Sequence, residues 1–357
     1  MSAPGLRFER RGATIIVTLD RAAKLNAIDS GMKAALTREI PNIARIPEVY
    51  AVLWRAAPGR MFSAGGDIRE FFELAKSNQA LAAGACAQEY SLIWLLECFS
   101  KPSIALIDGA VMGTGVGLTQ VLTHRVGGPG YQFQMPETAI GFFPDNGVAW
   151  LLARLPHEIG IYLGLTGEAI GRADAYRLGI ITHAIDTLHF DGIERAIADA
   201  DPIDTLLDGL HEPPGPAPID AVAHVIERCF SAASVGEIMS RLAAPTDHRA
   251  WCDSTAATLA ARSPLALAAT LEHIRRARHL DLRQTLMLDY RLAVRLVAGH
   301  DFQEGVRARL VDRQGTPRWR PSAVGDIGAA QVARLFDPMP GAEMVLPTRQ
   351  EMQSARV

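Results

Sequence analysis

The chain has 357 residues, 48% of them hydrophobic and 21% charged, a composition that fills a sizeable core and excludes a disordered or fibrous protein. A formal net charge of -3 and a pI near 6.4 exclude a general nucleic-acid role, which requires clustered positive charge. No apolar run approaches the ~20 residues of a membrane span, and residues 1–12 lack the apolar stretch of a secretory signal, so no membrane association and a cytosolic or matrix-like location are expected.

In chain order, residues 14–19 read as a strand from their β-branched run, 30–46 carry helical spacing, and 49–54 read as a second strand. The glycine-containing loop Phe62-Ser63-Ala64-Gly65-Gly66-Asp67 comes next, then helical spacing over 79–99 and a third strand at 103–107. A second glycine-rich stretch, 109–118, opens another helix. Shorter helices are expected at 148–155 and 174–178, ahead of the apolar segment 180–185. This α/β alternation defines a core over 1–186. Pro202, Pro213, Pro214, Pro216 and Pro218 mark the passage into a helix-rich region, 187–357, expected to pack on that core. Within it, 264–279 and 282–298 have apolar residues at helical spacing, and the final twenty or so residues read as weakly ordered. Cys86, Cys98, Cys229 and Cys252 form no CxxC pair and the histidines are scattered, so reduced buried thiols and no metal site are expected.

Both glycine-rich loops follow a strand and precede a helix, a position from which free backbone N–H groups point at whatever lies ahead. Two such donors converging on one carbonyl make an oxyanion hole, although each loop alone is also compatible with tight strand–helix packing. The order G-T-G-V-G does not match a dinucleotide fingerprint, and without a G-x-S-x-G elbow Ser63 is no nucleophile. Two acids, Glu137 and Asp145, each follow a proline in an apolar stretch, a setting that favours shifted carboxyl pKa values. The plainer alternative places Glu137 in a first helical turn and Asp145-Asn146-Gly147 in an ordinary turn.

Taken together, Leu25-Asn26-Ala27, Phe62 to Arg69, Lys101 to Gly109 and Pro136-Glu137 resemble the crotonase (enoyl-CoA hydratase/isomerase) superfamily. The stretch 135–145, Leu165-Thr166-Gly167, 172–179 with Thr182-His183, and above all 299–308 followed by Pro317-Arg318-Trp319 resemble its 3-hydroxyisobutyryl-CoA hydrolase branch. The resemblance covers nearly the whole chain. It implies an α/β fold, a crotonase-like spiral of ββα units with a helical C-terminal region, and an acyl-CoA site whose thioester oxygen is held by the backbone amides of Gly66 and Thr114. Coenzyme A is then part of the substrate, no separate cofactor is implied, and the one partner envisaged is a second copy of the chain.

Hydratases of this superfamily deliver water with two glutamates. Here Gly117 occupies the first of those positions while Glu137 keeps the second, and Asp145 stands where hydratases usually have glycine. In the hydrolase branch, Glu137 is expected to attack the thioester or activate water, and Asp145 and Glu89 to contact the substrate, Asp145 as a second catalytic group that either binds the 3-hydroxyl or helps protonate the departing thiolate. The expected activity is therefore hydrolysis of a short branched 3-hydroxyacyl-CoA, 3-hydroxyisobutyryl-CoA of valine breakdown, with a hydratase or isomerase and a catalytically silent acyl-CoA-binding protein as alternatives. Thr114 departs from the glycine general in that branch, which bears on the acyl preference. Arg69 is a candidate for CoA phosphate contact, with a surface ion pair as the alternative.

Overall fold

The computed structural model describes residues 2–244, 246–312 and 315–357. Among the described residues there are eleven strands: β1 (Ser2–Ala3), β2 (Leu6–Arg11), β3 (Thr14–Leu19), β4 (Ala51–Ala56), β5 (Met61–Ser63), β6 (Ser103–Ile107), β7 (Ala110–Met112), β8 (His124–Gly127), β9 (Gln132–Gln134), β10 (Ile170–Gly171) and β11 (His183–Ala184). They form a seven-stranded sheet in the order β1-β2-β3-β4-β6-β8-β11 and a four-stranded sheet in the order β10-β9-β7-β5. In the large sheet β3, β4, β6, β8 and β11 run parallel, and β1 and β2 join antiparallel.

The strand period of two divides the apolar residues of the large sheet between its faces. Ile15, Val17, Val52 and Trp54 enter the main core, whereas Ile16, Leu53, Ile104 and Val126 enter a second core closed by Ile193, Ile197, Ile203 and Leu207. Those closing residues lie on the helices Phe190–Ala198 and Ile203–Leu210. A strand buried on both faces reads as a continuous apolar run, which is why Thr14–Leu19 was recognisable without polar alternation.

The small sheet positions the site. Its strands β9, β7 and β5 are adjacent and parallel, with Met112 opposite Gln134 and Val111 opposite Ser63. The chain therefore leaves three neighbouring strands at the same end, at residues 64–67, 113–114 and 135–137. In α/β proteins the carboxyl end of parallel strands is where ligands bind.

Four helices frame this end: α1 (Ser30–Ala44), α2 (Ile68–Ser77), α3 (Gln79–Glu97) and α4 (Thr114–Gln120). The helices Pro264–Ala277 and Leu282–Val297 form where helical spacing predicts them, the second packing along α3. The segment 180–185 keeps only the two-residue strand β11, and the helix expected over 148–155 ends at Leu152.

The carboxy terminus differs from its expected weak order. Residues Arg349–Ser354 form a helix with a capping box between Thr348 and Glu351, Leu346 is buried, and Trp94 Nε1 donates to the Pro347 carbonyl at 2.8 Å. The segment is polar in sequence yet docks by backbone carbonyls onto Trp94 and Arg283, contacts that composition does not reveal. Among the described residues, no helix is long and apolar enough to cross a membrane.

Candidate active site

The two loops expected to supply amides meet. Gly65 adopts φ +90° and Gly113 φ +46°, conformations that a side chain resists, and a Cβ on Gly65 would stand 3.3 Å from Gly113 Cα and 3.4 Å from Thr114 N. Glycine at 65 thus lets the loop after β5 lie directly on the loop after β7. Thr114 is the first residue of α4, where a helical amide has no internal acceptor. Among the described residues neither the Gly66 nor the Thr114 N–H has an acceptor. Ser63 is spent structurally, donating to the Asn26 carbonyl at 3.0 Å and accepting from Gly65 N at 3.2 Å.

Glu137 begins a 3₁₀ turn, Glu137–Ile140, directly after Pro136, as the plain first-turn reading of this position expects. Its Oε1 lies 3.2 Å from where a Cβ on Gly113 would stand, which puts the carboxylate beside the oxyanion loop. Oε2 is buried without a hydrogen-bond partner. Burial raises its pKa to about 8.

Asp145, Glu89 and their neighbours form the polar end of the cavity. Asp145 Oδ2 accepts from Tyr90 Oη and Oδ1 from Asn146 Nδ2, both at 2.8 Å. Burial, and then the charges of Glu89, Asp289 and Glu137, push its carboxyl well above the usual range. Glu89 on α3 goes the other way: burial alone would raise it, but the Lys33 charge and hydrogen bonds from Lys33, Thr114 and Asn146 outweigh that and hold it below its ordinary value. Lys33 Nζ lies 2.5 Å from Glu89 Oε2, and Thr114 Oγ1 donates to Glu89 Oε1 at 2.6 Å.

Every oxygen of Glu89 and Asp145 thus has a protein donor, and Glu137 Oε2 has none. Behind Asp145, the buried Asp289 accepts from Gly147 N at 2.7 Å, which fixes the turn that carries Asp145 and Asn146.

Lys33, Glu89, Tyr90, Thr114, Glu137 and Asp145 line one cavity of ≈ 340 Å³, whose apolar walls include Ile68, Phe71, Met112, Ile140, Phe142 and Phe302. That is the lower end of the range for small-molecule sites. Phe302 comes from the helix His300–Val306, part of the late motif at 299–308. The motif's other residues act as a clamp. A Cβ on Gly305 would stand 2.4 Å from the Ile140 carbonyl carbon, and one on Gly141 would stand 2.3 Å from the Asp301 carbonyl oxygen, so the helix lies directly on the turn that carries Glu137. Asp301 fixes it further, accepting from Ser263 Oγ at 2.6 Å and Arg320 N at 2.8 Å.

The structure thus brings Gly66, Glu89, Thr114, Glu137 and Asp145 together. Arg69 Nη2 donates to the carbonyl of Leu310, a residue of the cavity lining, at 2.6 Å, a contact that uses one of the five guanidinium donors. Sequence reasoning missed Lys33, Tyr90 and Asn146. For Lys33 a signal existed, since this lysine shares a helix face with the buried Leu36 and Ile40 at three- and seven-residue spacing, where a charge is costly without a partner. All four cysteines are buried free thiols, and among the described residues no group of three or more His, Cys, Asp or Glu side chains is arranged to hold a metal ion.

The family model for enoyl-CoA hydratase/isomerase matches residues 14–336. The chain belongs to this family. Among its family relatives, the mitochondrial 3-hydroxyisobutyryl-CoA hydrolase of Danio rerio is 33% identical over 95% of this chain and 91% of its own, and that of Homo sapiens is 33% identical over 91% and 86%. Two solved members of the same fold superpose closely. A carnitinyl-CoA dehydratase from Mycobacterium thermoresistibile has a TM-score of 0.89 at 32% identity, covering 96% of this chain and 99% of its own. An enoyl-CoA hydratase from Rhodobacter sphaeroides has a TM-score of 0.88 at 32% identity, covering 96% and 100%. The crotonase-like α/β fold expected from the resemblance is therefore the fold of this chain, helical C-terminal region included.

Proposed function

We propose that the protein hydrolyses an acyl-CoA thioester, 3-hydroxyisobutyryl-CoA, to 3-hydroxyisobutyrate and free CoA in valine breakdown. The observation that carries this reading is the Glu137 carboxylate, whose Oε2 is buried without a hydrogen-bond partner and whose Oε1 lies 3.2 Å from the point a Cβ on Gly113 would occupy, next to the amide of Thr114. A thioester carbonyl oxygen held by the Gly66 and Thr114 amides presents its carbon to Glu137. Ionised Glu137 either attacks that carbon, giving a mixed anhydride that water then cleaves, or removes a proton from a water that attacks it. In both routes the negative charge on the carbonyl oxygen grows against the amide donors, each worth roughly 2.7 to 4 kcal/mol in the transition state.

Collapse of the tetrahedral intermediate breaks the carbon–sulfur bond, and the departing thiolate takes a proton. Asp145 is the suitable donor, because burial pushes its carboxyl well above the usual range and so favours the protonated form, while Lys33 holds Glu89 below its ordinary value. The apolar walls around Phe71, Phe142 and Phe302 exclude water from the acyl group and so strengthen each of these interactions.

The two solved relatives are named as a dehydratase and a hydratase, and that favours a second reading, water addition to an enoyl-CoA. Gly117 stands against it. The position has no side chain, and a Cβ there would stand 2.5 Å from Asn146 Cβ. The second water-delivering carboxylate has neither a residue nor space. The test is to measure thiol release and enoyl loss in parallel over 3-hydroxyacyl-CoA and 2-enoyl-CoA substrates. Thiol release from 3-hydroxyisobutyryl-CoA without hydration of crotonyl-CoA is expected, and fast hydration without thiol release overturns the reading.

A further inference from the structure

Glu89 was expected to touch the substrate, yet its carboxylate is already engaged. Oε2 holds the Lys33 ammonium at 2.5 Å and Oε1 takes the Thr114 hydroxyl proton at 2.6 Å. The pair is buried, with side-chain exposures of 10% for Lys33 and 13% for Glu89, so little water competes for either group. The group between Glu89 and the oxyanion loop is the Thr114 hydroxyl. Its oxygen lies 3.0 Å from the point a Cβ on Gly66 would occupy, so it stands beside the second oxyanion donor as well as carrying the first on its own backbone.

A threonine hydroxyl has one proton and two lone pairs. With the proton given to an ionised carboxylate, the oxygen can only accept. An acyl group whose carbonyl oxygen rests on the Gly66 and Thr114 amides brings its next carbons alongside that oxygen. A hydroxyl there gains a hydrogen bond, whereas a plain methyl leaves a buried acceptor unpaired, and a site built this way rejects the group that lacks the proton.

We propose that the Thr114 hydroxyl, its proton committed to the Lys33-anchored Glu89, is the specificity-determining contact of this chain and accepts a hydrogen bond from the 3-hydroxyl of the acyl group. Lys33 is a positioning residue in this arrangement. It acts through Glu89, keeping that carboxylate an acceptor and so fixing which way the Thr114 proton points. The proposal rests on the thioester-hydrolase reading above and adds what selects the acyl group.

The experiment compares kcat/KM for thiol release from 3-hydroxyisobutyryl-CoA with that from isobutyryl-CoA. In Thr114→Val, which keeps shape and the backbone N–H but loses the hydroxyl, the ratio should fall at least ~10-fold, the worth of one buried hydrogen bond. Thr114→Ser should retain the wild-type ratio. Lys33→Met should lower the ratio as well, and Lys33→Met combined with Thr114→Val should lower it no further than Thr114→Val alone. A purely structural lysine would depress both substrates equally and leave the ratio unmoved. If Lys33→Met does not fold, the valine and serine variants decide the matter. Wild-type hydrolysis of 3-hydroxyisobutyryl-CoA with an unchanged ratio in Thr114→Val overturns this proposal alone, whereas no thiol release from either substrate by the wild-type protein overturns the hydrolase reading and this proposal with it.

Discussion

Gly117 and Asn146 are in such close contact that a Cβ added to the glycine would stand 2.5 Å from the Cβ of the asparagine, with Cγ at 3.2 Å and Ile93 Cδ1 at 3.3 Å. A glutamate at 117 therefore cannot simply be reinstalled. Gly117→Glu is expected to lower the melting temperature, by an overpacking cost of about 1 to 3 kcal/mol, and to gain no crotonyl-CoA hydration. Thermal unfolding and an enoyl-loss assay check both. Substantial hydration in this variant would show that the missing carboxylate alone, and not the space, separates the two chemistries here.

The pH dependence follows from Glu137. Its pKa of about 8, raised by burial, means that the free protein holds this carboxyl protonated at neutral pH. Because either route needs the carboxylate, kcat/KM for thiol release should climb with pH and level off above about 8. The stability sign is opposite. The folded state binds the proton more tightly than the unfolded chain, so this group's contribution is fully present below its ordinary pKa of 4.5 and is lost as pH rises to about 8. Glu137→Gln should therefore be more stable than wild type at alkaline pH, with the gap closing as pH falls. A gap independent of pH would contradict the raised pKa.

Thr114→Pro separates the amide from the side chain. Position 114 opens α4, where proline is tolerated, but the substitution deletes one oxyanion donor and should lower kcat by about 10² to 10³-fold. Gly113 has ψ −124°, which a following proline disfavours, so circular dichroism and a melting curve accompany the kinetics. Wild-type turnover by a folded proline variant would place the second donor elsewhere.

The clamp formed by the late motif predicts an effect at a distance from the chemistry. Gly305→Ala pushes a methyl group against the Ile140 carbonyl and should displace the turn that begins at Glu137. Both kcat and the melting temperature are expected to fall, whereas a surface glycine with open surroundings such as Gly209 should tolerate alanine. Equal behaviour of the two variants would remove the clamp from the account.

Much of this was legible in the sequence, and the limits have physical causes. Strand β3 and the helices at α1, α3 and the carboxy-terminal pair announce themselves through β-branched runs and helical spacing, both local properties. The two glycine loops and the Pro-Glu pair have local signatures, Gly66 and Thr114 were singled out within those loops by the family resemblance, and the fold brings them and Glu137 together at the ends of β5, β7 and β9. Lys33 was not found, since its role depends on α1 meeting α3, fifty-six residues further on. The docking of residues 346 and 347 was missed for the same reason, because backbone carbonyls carry it and their partners, Trp94 and Arg283, lie far away in the chain.

The central claim is that the Glu137 carboxylate cleaves the thioester. The most direct measurement is thiol release from 3-hydroxyisobutyryl-CoA by Glu137→Gln, with binding of the same ligand measured by titration. The account predicts a loss of turnover of at least ~10²-fold with affinity nearly intact, since the change keeps the volume and removes the base or nucleophile. Turnover close to wild type in the folded variant would contradict it.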